Sequence, residues 1–314
     1  MEGLKFDCIG DMERVWLERK FERDEIFQVV RDLEGDKAPG LDGFTMAFYH
    51  HCWRVVEKDV LAVFEEFFQY CKFEKSLNAT FIALIPKKND ASNIGGFRPI
   101  SLVGSVYNIL AKVLANHLRM VLDQLISKTH NSFVCGRQIL DSSLIVNECV
   151  DSRVKSRVLE VICKLDVEKA SDHVNWEALL DLLSRMGFGV KWCKWIRTCI
   201  STVQFFVLIN GSPAVFFFFF GSSWGLRQRD LLSPMLFLIM MKIFGRILRK
   251  VEGASLICDF KAEGKKGGGE CVSHLLFAND TILFCDADVE QILNIQLFTL
   301  FSRCDKFEGQ CAKE

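Results

Sequence analysis

The chain has 314 residues and a mass of 35.9 kDa; half of its residues are hydrophobic, 12% are aromatic, and its mean hydropathy is +0.17. That much apolar material builds a sizeable core and excludes wholesale disorder, and at roughly 150 residues per domain the length suits about two domains or one large one. Five prolines and 21 glycines exclude collagen-like or proline-rich architectures, and a net charge of −1 with a pI of 6.6 is not the balance of a dedicated basic nucleic-acid binder.

The first 75 residues read as helical. In FERDEIFQVVRDLEG, Phe21, Ile26, Val29, Val30 and Leu33 fall at helical spacing and Gly35 is placed to end the helix. DKAPGLDGF, residues 36–44, is a turn-rich loop, and 48–73 return to helical period. ATFIALIP, residues 79–86, predicts a strand stopped by Pro86; 87–97 predict a polar loop and 101–126 a helix. LEVICKLD, residues 159–166, predicts a strand ending in a carboxylate. Residues 172–189 predict a helix with Asn175 as N-cap and Gly187 as stop. An Asn-Gly pair between apolar runs predicts a hairpin over 205–217. Residues 231–248 predict an apolar helix, 271–285 a second tight hairpin, and 288–304 a final helix. No internal repeat is visible. This order predicts an α/β (α+β) fold with an antiparallel sheet and helices on one face.

No run approaches the ~18 apolar residues of a membrane span; the longest candidates are 214–220 and 235–241. The N-terminus lacks the apolar stretch of a signal peptide. Thirteen cysteines, odd in number and never in CxxC, favour free thiols in a reducing, intracellular compartment, nucleus or cytoplasm. His50, His51 and Cys52 are read as part of an ordinary packed turn rather than a metal site. Charge is distributed unevenly: residues 1–70 carry nine Lys/Arg against sixteen Asp/Glu, whereas 86–137 carry seven against two. A neutral whole can therefore hide a basic surface that attracts phosphates.

Two carboxylates stand out by position. Asp166 ends a predicted strand, and Asp280 lies in the turn of a predicted hairpin. If those strands are neighbours, the carboxylates converge, and converging carboxylates repel unless a cation lies between them. Hard oxygen ligands of this kind suit Mg²⁺, and a pair of such ions clamps the attacking and leaving oxygens of a phosphoryl transfer. On spacing alone, two surface turn aspartates are the better reading.

The surrounding residues are more specific. KLDVEKASDHVNW, GLRQRDLLSP and LLFANDTILF, in this order, resemble three core motifs of the reverse transcriptases of LINE-type (non-LTR) retrotransposons, the plant members above all. The likeness extends upstream through DKAPGLDGF, SLNATFIALIPKK, FRPISLVGSVYNILAKVLANHLR and NSFVCGRQILD. It implies a right-hand polymerase fold with a helical extension over 1–75, helical fingers over 76–158 and a palm with an antiparallel sheet over 159–314, the thumb missing. It implies an RNA-directed DNA polymerase, a nucleotidyltransferase that uses an RNA template, a DNA primer, deoxynucleoside triphosphates and a two-ion Mg²⁺ site, with no membrane association. Asp166 and Asp280 are implied as catalytic metal ligands. Arg98 is implied to hold the incoming triphosphate with Lys87 or Lys88 nearby, a guanidinium fork matching phosphate oxygens. Gln228 is implied to line the nucleotide pocket, and Lys313 to protonate pyrophosphate.

Several positions depart from the family pattern. Asn279 stands where the family has the first aspartate of the hairpin pair, and an amide is a poorer partner for Mg²⁺ than a carboxylate; a loss of ~10²-fold or more in rate is expected. Ser171 replaces an aromatic residue that closes the pocket against a ribose 2′-hydroxyl. In the GLRQ motif Arg229 replaces glycine, which permits unusual dihedrals, and Leu231 replaces proline. Trp224 replaces an arginine, and five consecutive phenylalanines, 216–220, stand where the family has serines. All but the Ser171 change are reachable by single C-to-T transitions. A decayed, catalytically impaired copy is therefore expected, with a non-catalytic nucleic-acid-binding remnant as the alternative.

Overall fold

The structure, a computed structural model, describes residues 4–126, 139–156, 160–166, 170–209, 212–214, 224–254, 260–262, 270–272, 274–277 and 280–294. The chain opens with helices α1 (Asp11–Leu17), α2 (Arg23–Asp32) and α3 (Met46–Tyr70). Strands β1 (Ala79–Pro86) and β2 (Phe97–Val103) follow, then helices α4 (Ser105–Leu125) and α5 (Ile139–Ser156) and strand β3 (Glu160–Asp166). Helices α6 (Trp176–Arg185) and α7 (Val190–Ser201) precede the hairpin β4 (Gln204–Ile209) and β5 (Ser212–Ala214). Helix α8 (Ser233–Gly253) is followed by β6 (Phe260–Ala262), β7 (Glu270–Val272), β8 (His274–Phe277) and β9 (Asp280–Asp286). The fold is of the mixed helix-and-sheet class, an α+β arrangement of small sheets, as the sequence predicts.

The chain divides into two compact units, one built from Phe6–Leu125 and Val174–Phe237, the other chiefly from Ile126–His173 and Leu238–Glu314. In the first, amphipathic helices bury one face each. Ile26, Val29 and Val30 of α2, Phe64 and Phe67 of α3, Leu110 and Leu114 of α4, and Trp192 and Trp195 of α7 are all buried. Phe21 sits among Phe64, Phe67 and Trp195, its ring 5.4 Å from the first and 5.0 Å from the last. Local chemistry sets the helix ends. Glu22 and Glu25 form a capping box at the start of α2, and Asn175 accepts from the Ala178 amide at 3.0 Å to cap α6. Gly187, at φ +85°, turns the chain out of α6 where a side chain would be strained.

The sheet of this unit has the order β2-β1-β4-β5. The pairs β1–β2 and β4–β5 are antiparallel, but β1 and β4 run parallel, Ala79 opposite Gln204. This sheet is therefore mixed. More than a hundred residues separate these strands, and a crossover of that length lets parallel neighbours form. Strand β2 is a correction: residues 101–103 are extended rather than the first turn of a helix, and α4 begins at Ser105. Pro99 is compatible with this because β2 is an edge strand. His50, His51 and Cys52 lie on α3 rather than in a turn; His50 Nε2 is 2.7 Å from the Val30 carbonyl and His51 Nδ1 2.8 Å from that of Ala47.

In the second unit the order is β3-β9-β8, antiparallel throughout. Alternation along the strands gives this sheet two apolar faces. Leu165, Leu283 and Cys285 pack with Leu248, Phe244 and Val251 of α8, while Phe284, Leu275 and Ile282 pack with Ile145 and Val146 of α5. Helices therefore cover both faces, not one. Residues 289–294 are helical; the remainder of the predicted final helix and the phenylalanine run 216–220 lie outside the described residues.

Candidate active site

The β3–β9 pairing fixes the position of the two aspartates. Across seven register pairs from Glu160↔Asp286 to Asp166↔Asp280, the two strands run without a bulge. Asp280 is thus the first residue of the central strand, not a turn residue as expected, with Asp166 opposite it on one side and Phe277 on the other. By the two-residue period, positions 162, 164 and 166 of β3 share a face with 280, 282 and 284 of β9. On that face Ile162 is 42% exposed, so the β3 side is open to solvent. The opposite face is closed by α8, where His274 Nδ1 lies 2.9 Å from Glu252 Oε1 and holds β8 to the helix. Two carboxyl-bearing residues at one register position are a hard-oxygen donor set that suits a divalent cation. Among the described residues, no group of three or more His, Cys, Asp and Glu is arranged to hold a metal ion. Ser171 lies half-buried in a short 3₁₀ turn, Ala170–His173, five residues beyond Asp166. Asn279 and Lys313 lie outside the described residues.

The other candidates are in the first unit. Arg98 and Lys88 are exposed on the β1–β2 hairpin, Arg98 opposite Ile85 in register. Lys87 donates from Nζ to the Gly95 carbonyl at 3.0 Å, and its amide donates to the Gly96 carbonyl at 2.8 Å. One hairpin thereby carries all three predicted phosphate-binding cations. The loop 36–44 is pinned to the β2–α4 junction. Asp42 accepts from the Ser105 amide at 2.7 Å, and Ser105 Oγ donates to the Phe44 carbonyl at 2.7 Å. Gly40 is required there, because a Cβ would stand 2.5 Å from the Gly104 nitrogen.

Gln228 and Arg229 form a turn, and Arg229 has φ +67°. That is the left-handed region, so the residue expected in place of glycine sits where a side chain is strained. Arg229 and Leu231 line a cavity of about 380 Å³ with Lys37, Phe44, Ile100 and Asn108. Trp224 is 46% exposed; it forms an isolated bridge with Asn175, and Trp176 Nε1 donates to the Gly225 carbonyl at 2.7 Å.

Two charged residues not singled out from the sequence organise this segment. Arg227 is buried, donating to Asn78 Oδ1 at 2.8 Å, Thr80 Oγ1 at 3.2 Å and the Cys199 carbonyl at 3.4 Å, with its guanidinium 3.9 Å from the Tyr107 ring centroid. Burial raises the Tyr107 phenol well above its ordinary value despite the opposing pull of Arg227, and burial pushes the Cys199 thiol up to about 12. Asp230, also buried, accepts from the Ser233 amide at 3.1 Å and from Ser233 Oγ at 2.7 Å at the start of α8. The available signal was two opposite charges inside the apolar frame GLRQRDLL.

Residues 85–311 match the profile of the reverse transcriptase (RNA-dependent DNA polymerase) family, and the chain belongs to that family. The family's activity is RNA-directed DNA synthesis; it binds template, primer and deoxynucleoside triphosphates and generally uses a divalent metal. The chain is 29% identical over 245 residues to a 149 kDa protein of transposon TX1 from Xenopus laevis, covering 77% of this chain and 18% of the relative. It is 24% identical to a Pol polyprotein of the type-1 retrotransposable element R2 from Nasonia vitripennis, covering 88% and 25%. A Popillia japonica polyprotein of an R2 element is 26% identical, covering 66% and 27%. The chain thus spans about a quarter or less of the length of these relatives, and it is a reverse transcriptase domain of the non-LTR retrotransposon type. Among the described residues no helix is long and apolar enough to cross a membrane.

Proposed function

We propose that this chain is the fingers–palm portion of a LINE-type reverse transcriptase of the plant branch, with Asp166 and Asp280 as its metal-binding carboxylates and with catalysis impaired by Asn279. The helical extension is assigned to 1–75, the fingers to 76–158 and the palm to 159–314. The observation that carries the reading is the opposition of Asp166 and Asp280 in one unbulged antiparallel pair. Mg²⁺, when bound, supplies the Lewis acid that activates a primer 3′-hydroxyl and stabilises the departing pyrophosphate. The chain's own residues then have distinct tasks. The fork of Arg98 holds the triphosphate oxygens, with Lys87 or Lys88 adding positive charge. Gln228 lines the nucleotide pocket, Ser171 leaves space beside the ribose, and Lys313 delivers a proton to pyrophosphate. Asn279 would offer a neutral amide where the family has a carboxylate, and Arg229, at φ +67°, adds strain next to Gln228; these support the reading of a decayed copy.

Primer extension on an RNA template tests this reading, with the chain as it stands beside Asn279→Asp. At least ~10²-fold greater extension by Asn279→Asp is expected. Equal extension by both overturns the impairment. Silence in both, with RNA binding that weakens as salt rises and persists without Mg²⁺, identifies instead a non-catalytic nucleic-acid-binding remnant using the basic 86–137 segment.

A further inference from the structure

Gln228 and Arg229 bridge two buried charged residues. Arg227 is 8% exposed and Asp230 4%, whereas Gln228 is half-buried and Arg229 exposed. Charged side chains are almost never this buried unless they are partnered. Asp230 fixes the downstream side through both Ser233 contacts. Arg227 fixes the upstream side through acceptors on separate elements, Asn78 and Thr80 at the start of β1 and the Cys199 carbonyl at the end of α7, over the face of Tyr107 on α4. Asn78 is itself held from the same side, donating to Thr202 Oγ1 at 2.8 Å and to the Cys199 carbonyl at 3.2 Å.

We propose that Arg227 is a positioning residue for nucleotide selection: by tying the 227–230 turn to β1, α4 and α7 together, it sets where Gln228 meets the incoming nucleotide. The inference rests on the polymerase reading, which gives Gln228 its role. A planar guanidinium makes divergent hydrogen bonds and stacks on a ring at once, so it defines both the position and the plane of the turn. A buried hydrocarbon of similar volume fills the space without fixing a direction. Polar groups within ~0.5 Å of their productive place are what such a site demands.

The test needs no chemical step. The full chain is bound to an RNA template with a dideoxy-terminated DNA primer, and the complementary deoxynucleotide is titrated with Mg²⁺, reading the complex that survives a salt challenge. Arg227→Lys keeps the charge and loses the fork; the nucleotide Kd is expected to weaken about tenfold while template–primer Kd stays within about twofold. Thr80→Val removes one acceptor at constant shape, with about two- to threefold weakening expected in the same direction, and it decides the matter if Arg227→Lys does not fold. A nucleotide Kd unchanged in the folded variants overturns the inference alone. So does a parallel fall of nucleotide binding, template–primer binding and Tm, which marks a purely structural residue. A parent chain that forms no nucleotide-dependent complex overturns the polymerase reading and this inference with it.

Discussion

Arg227 and the Asp166–Asp280 pair place charged residues in the fold in opposite ways. The guanidinium of Arg227 is met by acceptors from β1 and α7 and by the ring of Tyr107. Asp166 and Asp280 stand directly opposite each other in the β3–β9 register, with Phe277 across from Asp280 on the β8 side. Directly opposed like charges destabilise a sheet. One arrangement gains order from a charge; the other, in the proposed reading of Asp166 and Asp280 as metal ligands, accepts a cost in order to present charge. Local rules are broken where function needs them broken.

The sharpest way to break the contrast is to neutralise the aspartate. In the Asn279→Asp chain, Asp166→Asn should lower primer extension by at least ~10²-fold, while Tm in the absence of metal stays level or rises. A marked fall in metal-free stability would mean that Asp166 is a structural residue. On the other side, Arg227→Met should destabilise the fold by about 2–4 kcal/mol, because Asn78 and Thr80 lose a buried partner; urea unfolding measures it, and an unchanged midpoint would remove Arg227 from the stability account.

Arg229→Gly sharpens the contrast from the strained side. It should stabilise by about 1 kcal/mol, since glycine adopts φ +67° without a Cβ penalty, and a thermal melt reads the sign. The smallest effect concerns Glu25. Burial raises its carboxyl, but His117 at 3.0 Å, the Glu22 amide and Arg19 outweigh burial and hold it below its ordinary 4.5. A carboxyl lowered in the fold stabilises above its unfolded value and loses that contribution as pH falls through the folded one. Stability should therefore fall with acid below about pH 4.5, and Glu25→Gln should flatten that limb of a pH–melting profile.

Strand β1 and helix α6 were legible because their signals are local: a branched apolar run closed by Pro86, and an Asn175 cap followed by a leucine stripe. β3 and β9 were legible for the same reason, and their pairing followed once they were neighbours. β2 was not, because Leu102 and Val103 fit the helical phase of α4 as well as an edge strand, and Pro99 argued against any strand. Both α5 and α7 were missed, the former with only weak amphipathic patterning. Nothing local predicts the Arg227 network, since its partners are 28 to 149 residues away. Glycine's place at 229 was legible as a need for unusual dihedrals, and Arg229 carries that dihedral.

The position of Pro99 on the edge strand β2 has a consequence for self-association. An edge strand offers unpaired backbone groups to any strand that approaches it. Here the approaching strand meets a residue with no N–H to give, next to the exposed cation Arg98. The residue that obscured β2 in the sequence also makes its free side a poor template for sheet growth between molecules.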